Sequence, residues 1–373
     1  MMNRTVCVAV LACICVYMPA HAGQRKTIAV GDIFPPITTD YAFTAPELEY
    51  FGIERSILSM FSKKSFAIPD IHAEIILVEF FNNYCSSCQA QAPVMNDVYK
   101  AVQKNPVLQK KVRFIGIGAG NNEREVQQFK ERQDVPFPLI ADQRFSFYDA
   151  MGEPGGTPFM LVLKKRGNEA VVVGTHNGLT KNVPFFINSL STAAEQDIAT
   201  LTRRVTEHEI PSGDTRQLRL NLAPKQSLEQ VSNSMTAACA NCGPLSDIKQ
   251  ITLSSGGTLY MATTAIDGKT LTLYSKLFSQ QPVCDVCHGI HYIITFDAEG
   301  IIRDFLPLHL TKYGNIDWNE YDIENMRKQL MGKRLKKEFI FDPAIDAVTS
   351  ATMSSALIFK GVNELRSIYK ELK

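Results

Sequence analysis

The sequence predicts two domains, an α/β domain followed by a smaller α+β domain. The apolar run Ile75–Phe81 is rich in β-branched residues and predicts a buried strand, and the residues 90–103 predict a helix after it. Shorter strand-like runs separated by turn residues occupy 251–310, and amphipathic helices are predicted near 324–331 and 356–372. A length of 373 residues is sufficient for two separate hydrophobic cores.

The first 22 residues predict a cleaved secretory signal peptide. Arg4 supplies a positive charge, an apolar stretch continues to Met18, and Ala20-His21-Ala22 matches the small-residue cleavage pattern. We therefore expect a periplasmic or otherwise extracytoplasmic protein. The expected segments are the signal peptide, the first domain, a polar linker and the second domain, at residues 1–22, 26–190, 191–224 and 225–373.

The net charge and the spacing of the cysteines limit the classes of function that the sequence predicts. A formal net charge of +1 gives no reason to expect a nucleic-acid partner. Three of the nine cysteines fall in the signal peptide, and the other six form C-x-x-C pairs: Cys85/Cys88, Cys239/Cys242 and Cys284/Cys287. Closely spaced pairs in an exported chain indicate redox or metal chemistry more than a framework of structural disulfides.

The first pair follows directly on the predicted strand, at the start of the predicted helix. A thiol at a helix N-terminus has a lowered pKa, because free backbone N–H groups and the helix dipole stabilise the thiolate. Cys85 is therefore the candidate nucleophile and is expected to face solvent. Cys88 is expected to lie buried behind it and to resolve a mixed disulfide. These two residues predict thiol–disulfide exchange.

Further motifs connect this stretch to a known family. With Pro93 and the segment Gly156-Thr157-Pro158, the C-x-x-C stretch resembles the active site of the thioredoxin superfamily. The run Phe137–Asp142 followed by Phe145 resembles the exported TlpA-like and peroxiredoxin-like branches, and the C-x-x-C spacing with Pro93 favours dithiol exchange over a peroxidase that uses Cys85 alone. The resemblance implies a thioredoxin fold and a cis peptide bond between Thr157 and Pro158 beside the dithiol. It also implies that these two residues present backbone to a substrate strand. The expected partners are the thiols and disulfides of other proteins.

Glu79 is an acid inside the apolar strand, six residues before Cys85. A buried carboxyl group has a raised pKa and can take the proton from the resolving thiol. The resemblance implies the same role, since thioredoxins place a buried carboxylate there. The alternative is that Glu79 faces outward from the strand.

The last predicted helix opens with a second motif, Asp346-Ala347-Val348-Thr349-Ser350-Ala351-Thr352. It resembles the flavinylation motif of FMN-binding domains, D-x-x-[ST]-G-A-T, with Ser350 in place of Gly. The resemblance implies that Thr352 carries FMN through a phosphoester attached by a flavin transferase, and that Thr349, Ser350 and Ala351 form the turn. A helix N-terminus with hydroxyl groups suits a phosphate. The alternative is an ordinary helix N-cap.

The segment Tyr292–Leu310 resembles the core hairpin of the same family, with His309 near its end. If the family's architecture applies, His309 lies near the flavin ring or its phosphate. The flavin would exchange electrons with the Cys85/Cys88 dithiol, and a membrane redox donor would be a further partner.

The two other cysteine pairs leave three interpretations open. Cys239, Cys242, Cys284 and Cys287 together supply the four thiolates of a tetrahedral zinc site. Cys284-Asp285-Val286-Cys287-His288 alone matches the attachment signature of a c-type haem, with His288 as the iron ligand. The third interpretation is a pair of disulfides or dithiols that exchange electrons with Cys85 and Cys88.

The leading hypothesis is an exported thiol–disulfide oxidoreductase with a thioredoxin fold, fused to an FMN-binding-like domain. The alternative is a non-catalytic module held by zinc, or a haem electron carrier, attached to a thioredoxin-like domain.

Overall fold

The computed structural model describes most of the chain. It covers, in order, the residues 27–53, 66–152, 154–207, 228–255, 257–281, 283, 290–312 and 316–373. The predicted signal peptide, residues 1–22, lies outside the described residues, as do Cys284, Cys287 and His288. Among the described helices, none is long and apolar enough to cross a membrane.

The described residues of the first domain form seven strands. They are β1 (Thr38–Thr39), β2 (Phe66–Ala67), β3 (Ile75–Phe81), β4 (Val112–Ala119), β5 (Leu139–Asp142), β6 (Phe159–Arg166) and β7 (Glu169–Asn177). The first two form a small sheet, and the others form a five-stranded sheet in the order β5-β4-β3-β6-β7. Strands β3, β4 and β5 are parallel, whereas β6 and β7 run antiparallel to their neighbours. The predicted buried strand is therefore the central strand of this sheet.

The helices of the first domain pack around that sheet. They are α1 (Ala45–Tyr50), α2 (Ser86–Lys104), α3 (Leu108–Lys111), α4 (Glu123–Arg132), α5 (Ser146–Ala150), α6 (Val183–Glu195) and α7 (Ile198–Glu207), with a 3-10 turn at Ile68–Asp70. Helix α2 begins four residues earlier than the sequence predicts, because Cys85 itself is its N-cap.

The side chains of β3 alternate between the two faces of the sheet. Val78 and Phe80 join the apolar cluster on one face, and Leu77 and Phe81 join the cluster formed with α2 and α6 on the other. Because side chains two residues apart along a strand share a face, Glu79 lies on the α2 side. The strand therefore places its one acid on the same face as the dithiol helix.

Packing of the first domain continues past residue 190, where the sequence predicts its end. Leu190 and Leu201 are buried in the cluster that contains α2. The Lys164 ammonium donates hydrogen bonds to the carbonyls of Ala193 and Gln196, at 2.6 and 2.8 Å. The first part of the predicted linker is thus helical and packed, and the residues 208–224 lie outside the described part of the chain.

The second domain is mostly antiparallel β sheet. Its strands are β8 (Lys249–Thr252), β9 (Thr258–Ile266), β10 (Lys269–Gln280), β11 (Ile290–Asp297), β12 (Ile302–His309), β13 (Thr311–Lys312) and β14 (Ile316–Asp317). The first five form one sheet in the order β12-β11-β10-β9-β8. Its helices are α8 (Leu228–Ala237), α9 (Glu320–Leu330) and α10 (Thr352–Glu371). The predicted hairpin at 292–310 is confirmed as β11 and β12.

The hairpin turn is fixed by one carboxylate. Asp297 Oδ1 accepts hydrogen bonds from the N–H groups of Glu299 and Ile301, each at 2.9 Å, and its Oδ2 accepts from Arg303 Nε at 2.7 Å. Gly300 adopts φ +77°, a conformation that glycine allows without a steric penalty.

The two domains share an apolar cluster. Phe145 and Tyr148 of the first domain belong to the same buried cluster as Phe341 and Phe359 of the second. Lys360 of α10 lies 2.6 Å from the carboxylate of Asp149. The second domain therefore packs directly against the α5 side of the first.

Candidate active site

Cys85 ends the loop after β3 and is the N-cap of α2. Its sulfur accepts a hydrogen bond from the backbone N–H of Cys88 at 3.3 Å, and it lies 3.3 Å from the backbone oxygen of Thr157. Both cysteines are present as thiols. An N–H group directed at the sulfur favours the thiolate of the first cysteine, because it stabilises negative charge there.

The exposure of Cys85 differs from the prediction. Cys88 is buried as expected, but Cys85 is only 1% exposed and does not face solvent. Cys85 belongs to the same buried cluster as Cys88 and Met160, and its sulfur lies against the cis-proline loop. Val283, between β10 and β11, contacts Thr157, and Thr157 in turn contacts the sulfur of Cys85.

A polar network that the sequence analysis missed holds the loop before Cys85. The Asn82 side chain donates to the carbonyl of Ala119 at 2.6 Å and accepts from the N–H of Tyr84 at 2.8 Å. The N–H of Asn83 donates to the side chain of Asn121 at 2.8 Å. These asparagines are buried. The loop is therefore fixed to the end of β4, and the position of Cys85 is fixed with it.

Tyr84 immediately precedes Cys85, and its side chain is hydrogen-bonded to α4. Its hydroxyl donates a short hydrogen bond to the carboxylate of Glu125 in α4. Burial raises the pKa of Glu125. Arg132, at the end of α4, donates a short hydrogen bond to the side chain of Asn83. The sequence signal for this network is the pair Asn82-Asn83 at the end of an apolar strand, because buried amide groups need hydrogen-bond partners.

Glu79 is buried, with 6% of its surface exposed. Burial raises the pKa of this carboxyl group from 4.5 to about 8. The alternative of an outward-facing side chain on an edge strand is wrong, because β3 is the central strand and Glu79 pairs with Gly116 on one side and Met160 on the other. A proton can therefore be held by Glu79 at neutral pH on the face that carries the dithiol.

The peptide bond between Thr157 and Pro158 is cis, as the resemblance implies. Thr157 is fully buried, and its carbonyl faces Cys85. Its N–H and its hydroxyl both donate to the carbonyl oxygen of Val283, at 2.6 and 2.8 Å. This loop thus joins the nucleophile to the second domain.

Cys239 and Cys242, two ligands of the predicted zinc site, form a disulfide with each other, and the other two, Cys284 and Cys287, lie outside the described residues. Disulfide sulfurs are not the thiolates that zinc requires. The N–H of Gly243, next to Cys242, donates to the carbonyl of Ala265 near the end of β9.

The predicted flavin residues lie at the start of α10. Thr352 is the first residue of the helix, and its N-cap, Ala351, provides no side-chain cap. Thr349 and Ser350 are exposed. The hydroxyl of Ser354 donates to the carbonyl of Thr311 at 2.7 Å, which attaches the start of the helix to the strand that follows His309. His309 lies 6.0 Å from His291 between ring centres and 3.9 Å from the carboxylate of Asp317.

Comparison with known proteins agrees with the geometry of the first site. Residues 73–169 match the thioredoxin-like family model. The thiol-disulfide oxidoreductase ResA of Geobacillus thermodenitrificans is 24% identical over 120 residues, which are 32% of this chain and 66% of that protein. The ResA protein of Halalkalibacterium halodurans is 24% identical over 123 residues, 33% of this chain and 64% of that protein.

Residues 73–169 are a thioredoxin-like domain. The matched part is less than two thirds of the length of these curated relatives.

Two solved structures are also similar. The thioredoxin domain of a Bacteroides vulgatus thiol-disulfide oxidoreductase has 16% identity and a TM-score of 0.32, covering 44% of this chain and 99% of that one. A secreted Mycobacterium tuberculosis disulfide oxidoreductase has 16% identity and a TM-score of 0.28, covering 34% of this chain and 88% of that one.

Proposed function

We propose that this chain is an exported thiol–disulfide oxidoreductase that acts on the disulfides or dithiols of other proteins. The observation that carries this function is the position of the Cys85 sulfur, between the N–H of Cys88 and the carbonyl of Thr157. Export rests on the signal-peptide pattern of the first 22 residues. The name of the ResA relatives supports the chemistry.

The geometry assigns a role to each residue of the exchange. The Cys85 thiolate, stabilised by the helix N-terminus, attacks a partner disulfide and forms a mixed disulfide. Cys88 then attacks the sulfur of Cys85 and releases the partner as a thiol. Glu79 takes the proton of Cys88 in that step, because a carboxyl group with a raised pKa accepts and returns protons near neutral pH.

Insulin-disulfide reduction tests the proposal. Cys85→Ser should abolish the reaction, because the nucleophile is lost. Cys88→Ser should trap mixed disulfides with partner proteins, because the resolving thiol is lost. Full activity of Cys85→Ser would show that the assignment is wrong.

We also propose that Thr352 carries FMN through a phosphoester, attached by a flavin transferase. Two features fit this group. Ser350 has φ +60° at the position where the family's motif has Gly, and the N-terminus of α10 is without a side-chain cap. The backbone N–H groups of that first turn would hold the phosphate. When bound, the flavin would supply one- and two-electron chemistry to the dithiol, with electrons entering from a membrane redox donor.

A c-type haem on Cys284, Cys287 and His288 stays a prediction, because these residues lie outside the described part of the chain. A Soret band in the absorption spectrum of the exported protein tests it.

A further inference from the structure

The backbone of the cis-proline loop is bonded to the second domain. The N–H and the hydroxyl of Thr157 both donate to the carbonyl oxygen of Val283, at 2.6 and 2.8 Å. Thr157 is fully buried and Val283 is 2% exposed. Buried polar groups in native proteins have hydrogen-bond partners, and here each domain supplies the partner of the other. The contact is therefore a specific interaction between the two domains.

The N–H of Thr157 is the group that an extended partner chain would use. Such a chain pairs with an exposed backbone segment through N–H and carbonyl groups. The carbonyl of Thr157 faces the sulfur of Cys85 at 3.3 Å, so its N–H is the donor that lies next to the dithiol along the loop. A residue has only one backbone N–H. A partner chain can therefore pair with this N–H only after Val283 has been released from it.

The dithiol is also enclosed in this conformation. Cys85 is 1% exposed and Cys88 is fully buried. Thiol–disulfide exchange requires that the attacking sulfur reach a sulfur of the partner. A protein disulfide cannot contact Cys85 while the chain has this conformation, so the structure is a closed state of the proposed enzyme.

Contacts outside the site hold the second domain in place. The Lys360 ammonium lies 2.6 Å from the carboxylate of Asp149 and 5.3 Å from the ring centre of Phe145. The Arg144 guanidinium lies 2.7 Å from the carboxylate of Glu338. None of these residues belongs to the predicted exchange machinery. The side chains of Lys360 and Asp149 are 30% and 29% exposed, so this ion pair can be changed without opening a buried cavity.

We propose that the second domain is autoinhibitory: Val283 occupies the backbone position of a partner chain and must leave Thr157 before exchange begins. The inference rests on the thiol–disulfide function proposed above. Val283 and the partner chain compete for the same N–H. The apparent affinity for the partner is therefore reduced by the fraction of molecules in the open state. Contacts that hold the second domain in place, such as the Lys360–Asp149 pair, lower that fraction.

The test weakens the interface away from the dithiol. Lys360→Glu replaces an attraction to Asp149 with a repulsion, so it should raise the open fraction. The kcat/KM of insulin reduction should rise at least about threefold, mainly through a lower KM, because the open fraction sets the apparent affinity. Hydrogen–deuterium exchange of the Thr157 amide, followed by mass spectrometry of the peptide that contains it, should accelerate by a similar factor.

Two variants separate release from general destabilisation. Lys370→Glu changes an exposed lysine of the same helix in the same way and should match the wild type in both measurements. The double variant Asp149→Lys/Lys360→Glu restores an ion pair with its charges exchanged. It should return both the kcat/KM and the Thr157 exchange rate toward the wild-type values. If Lys360→Glu does not fold, Lys360→Gln is used, and it should change both quantities in the same direction.

Unchanged insulin kinetics in the Lys360 variant, or faster exchange at Thr157 without a gain in kcat/KM, would overturn the inference. Reduction of insulin by Lys360→Glu and not by the wild type would support it most strongly. The two proposals fail separately. Wild-type activity that the Lys360 substitution leaves unchanged rejects only the autoinhibition, whereas absence of insulin reduction by both chains rejects the proposed function.

Discussion

The backbone N–H of Cys88 donates a hydrogen bond to the sulfur of Cys85, with 3.3 Å between the two atoms. The start of α2 therefore gives Cys85 and Cys88, which are chemically identical, different environments. Cys85 receives the N–H that stabilises a thiolate, whereas Cys88 lies within the first turn and is fully buried. The difference comes from backbone position and follows from which cysteine is the N-cap.

Replacement of Glu79 should change how stability depends on pH. The pKa of Glu79 is about 8 in the folded protein and 4.5 when exposed. Between these values the folded protein binds a proton that the unfolded chain has released, so the free energy of unfolding falls as pH rises. The loss is at most about 1.4 kcal/mol for each pH unit in this window. Glu79→Gln should remove the fall, as measured by urea unfolding near pH 5 and near pH 8.

The control for that experiment is Glu195→Gln, because Glu195 is exposed. The control should retain the wild-type pH dependence. In addition, the resolution of the transient mixed disulfide by Cys88 should accelerate through pH 8 in the wild-type chain and not in Glu79→Gln, because only a carboxylate accepts the proton of Cys88. Parallel pH profiles for wild type and Glu79→Gln would contradict the proton-transfer role.

Asn82→Ala should lower both stability and activity. The side chain makes two hydrogen bonds, to the carbonyl of Ala119 and the N–H of Tyr84, and its loss removes both. We expect a destabilisation of about 2–3 kcal/mol. The rate of insulin reduction should fall as well, because the same loop positions Cys85. Asn188→Ala, at an exposed helical site, is the matched control and should behave as wild type in denaturant unfolding and in the insulin assay.

The Cys239/Cys242 disulfide should stabilise the second domain only moderately. It closes a very short loop, with a sequence separation of 3, and loop-closure entropy then predicts about 2 kcal/mol. Cys239→Ala/Cys242→Ala should lose that amount in urea unfolding. A chelator should leave the unfolding of the wild-type chain unchanged, whereas a drop in stability on adding it would indicate a metal at these sulfurs.

Local patterns were sufficient for the central part of the site. Ile75–Phe81 followed by Cys85 predicts a strand and a helix start, because periodicity and capping are properties of neighbouring residues. The hairpin at 292–310 was predicted from its strand-like runs and the turn between them, whereas the cis bond at Thr157 was implied by the family resemblance.

The features that sequence reasoning missed depend on distant residues. Asn83 is bonded to Asn121, 38 positions away, and Thr157 to Val283, 126 positions away. No local pattern contains either pairing, so the sequence predicts neither the loop network nor the contact between Thr157 and the second domain. The Cys239/Cys242 pair is a different case, because the spacing C-x-x-C is compatible with a disulfide, a dithiol or half of a zinc site. Only the position of the partner thiols in the fold distinguishes them.

Flavin attachment at Thr352 is the last prediction. Co-expression with a flavin transferase should give a fluorescent band that survives denaturing electrophoresis, because a phosphoester withstands denaturation. Thr352→Ala should remove the band, since Thr352 supplies the acceptor hydroxyl at the start of α10. Thr258→Ala, at an exposed position of β9, should retain it. The φ of +60° at Ser350 makes Ser350→Gly informative, because glycine adopts that conformation without a steric penalty. Labelling of Ser350→Gly should therefore equal or exceed wild type. If neither the wild type nor Ser350→Gly is labelled, the second domain does not carry a covalent flavin.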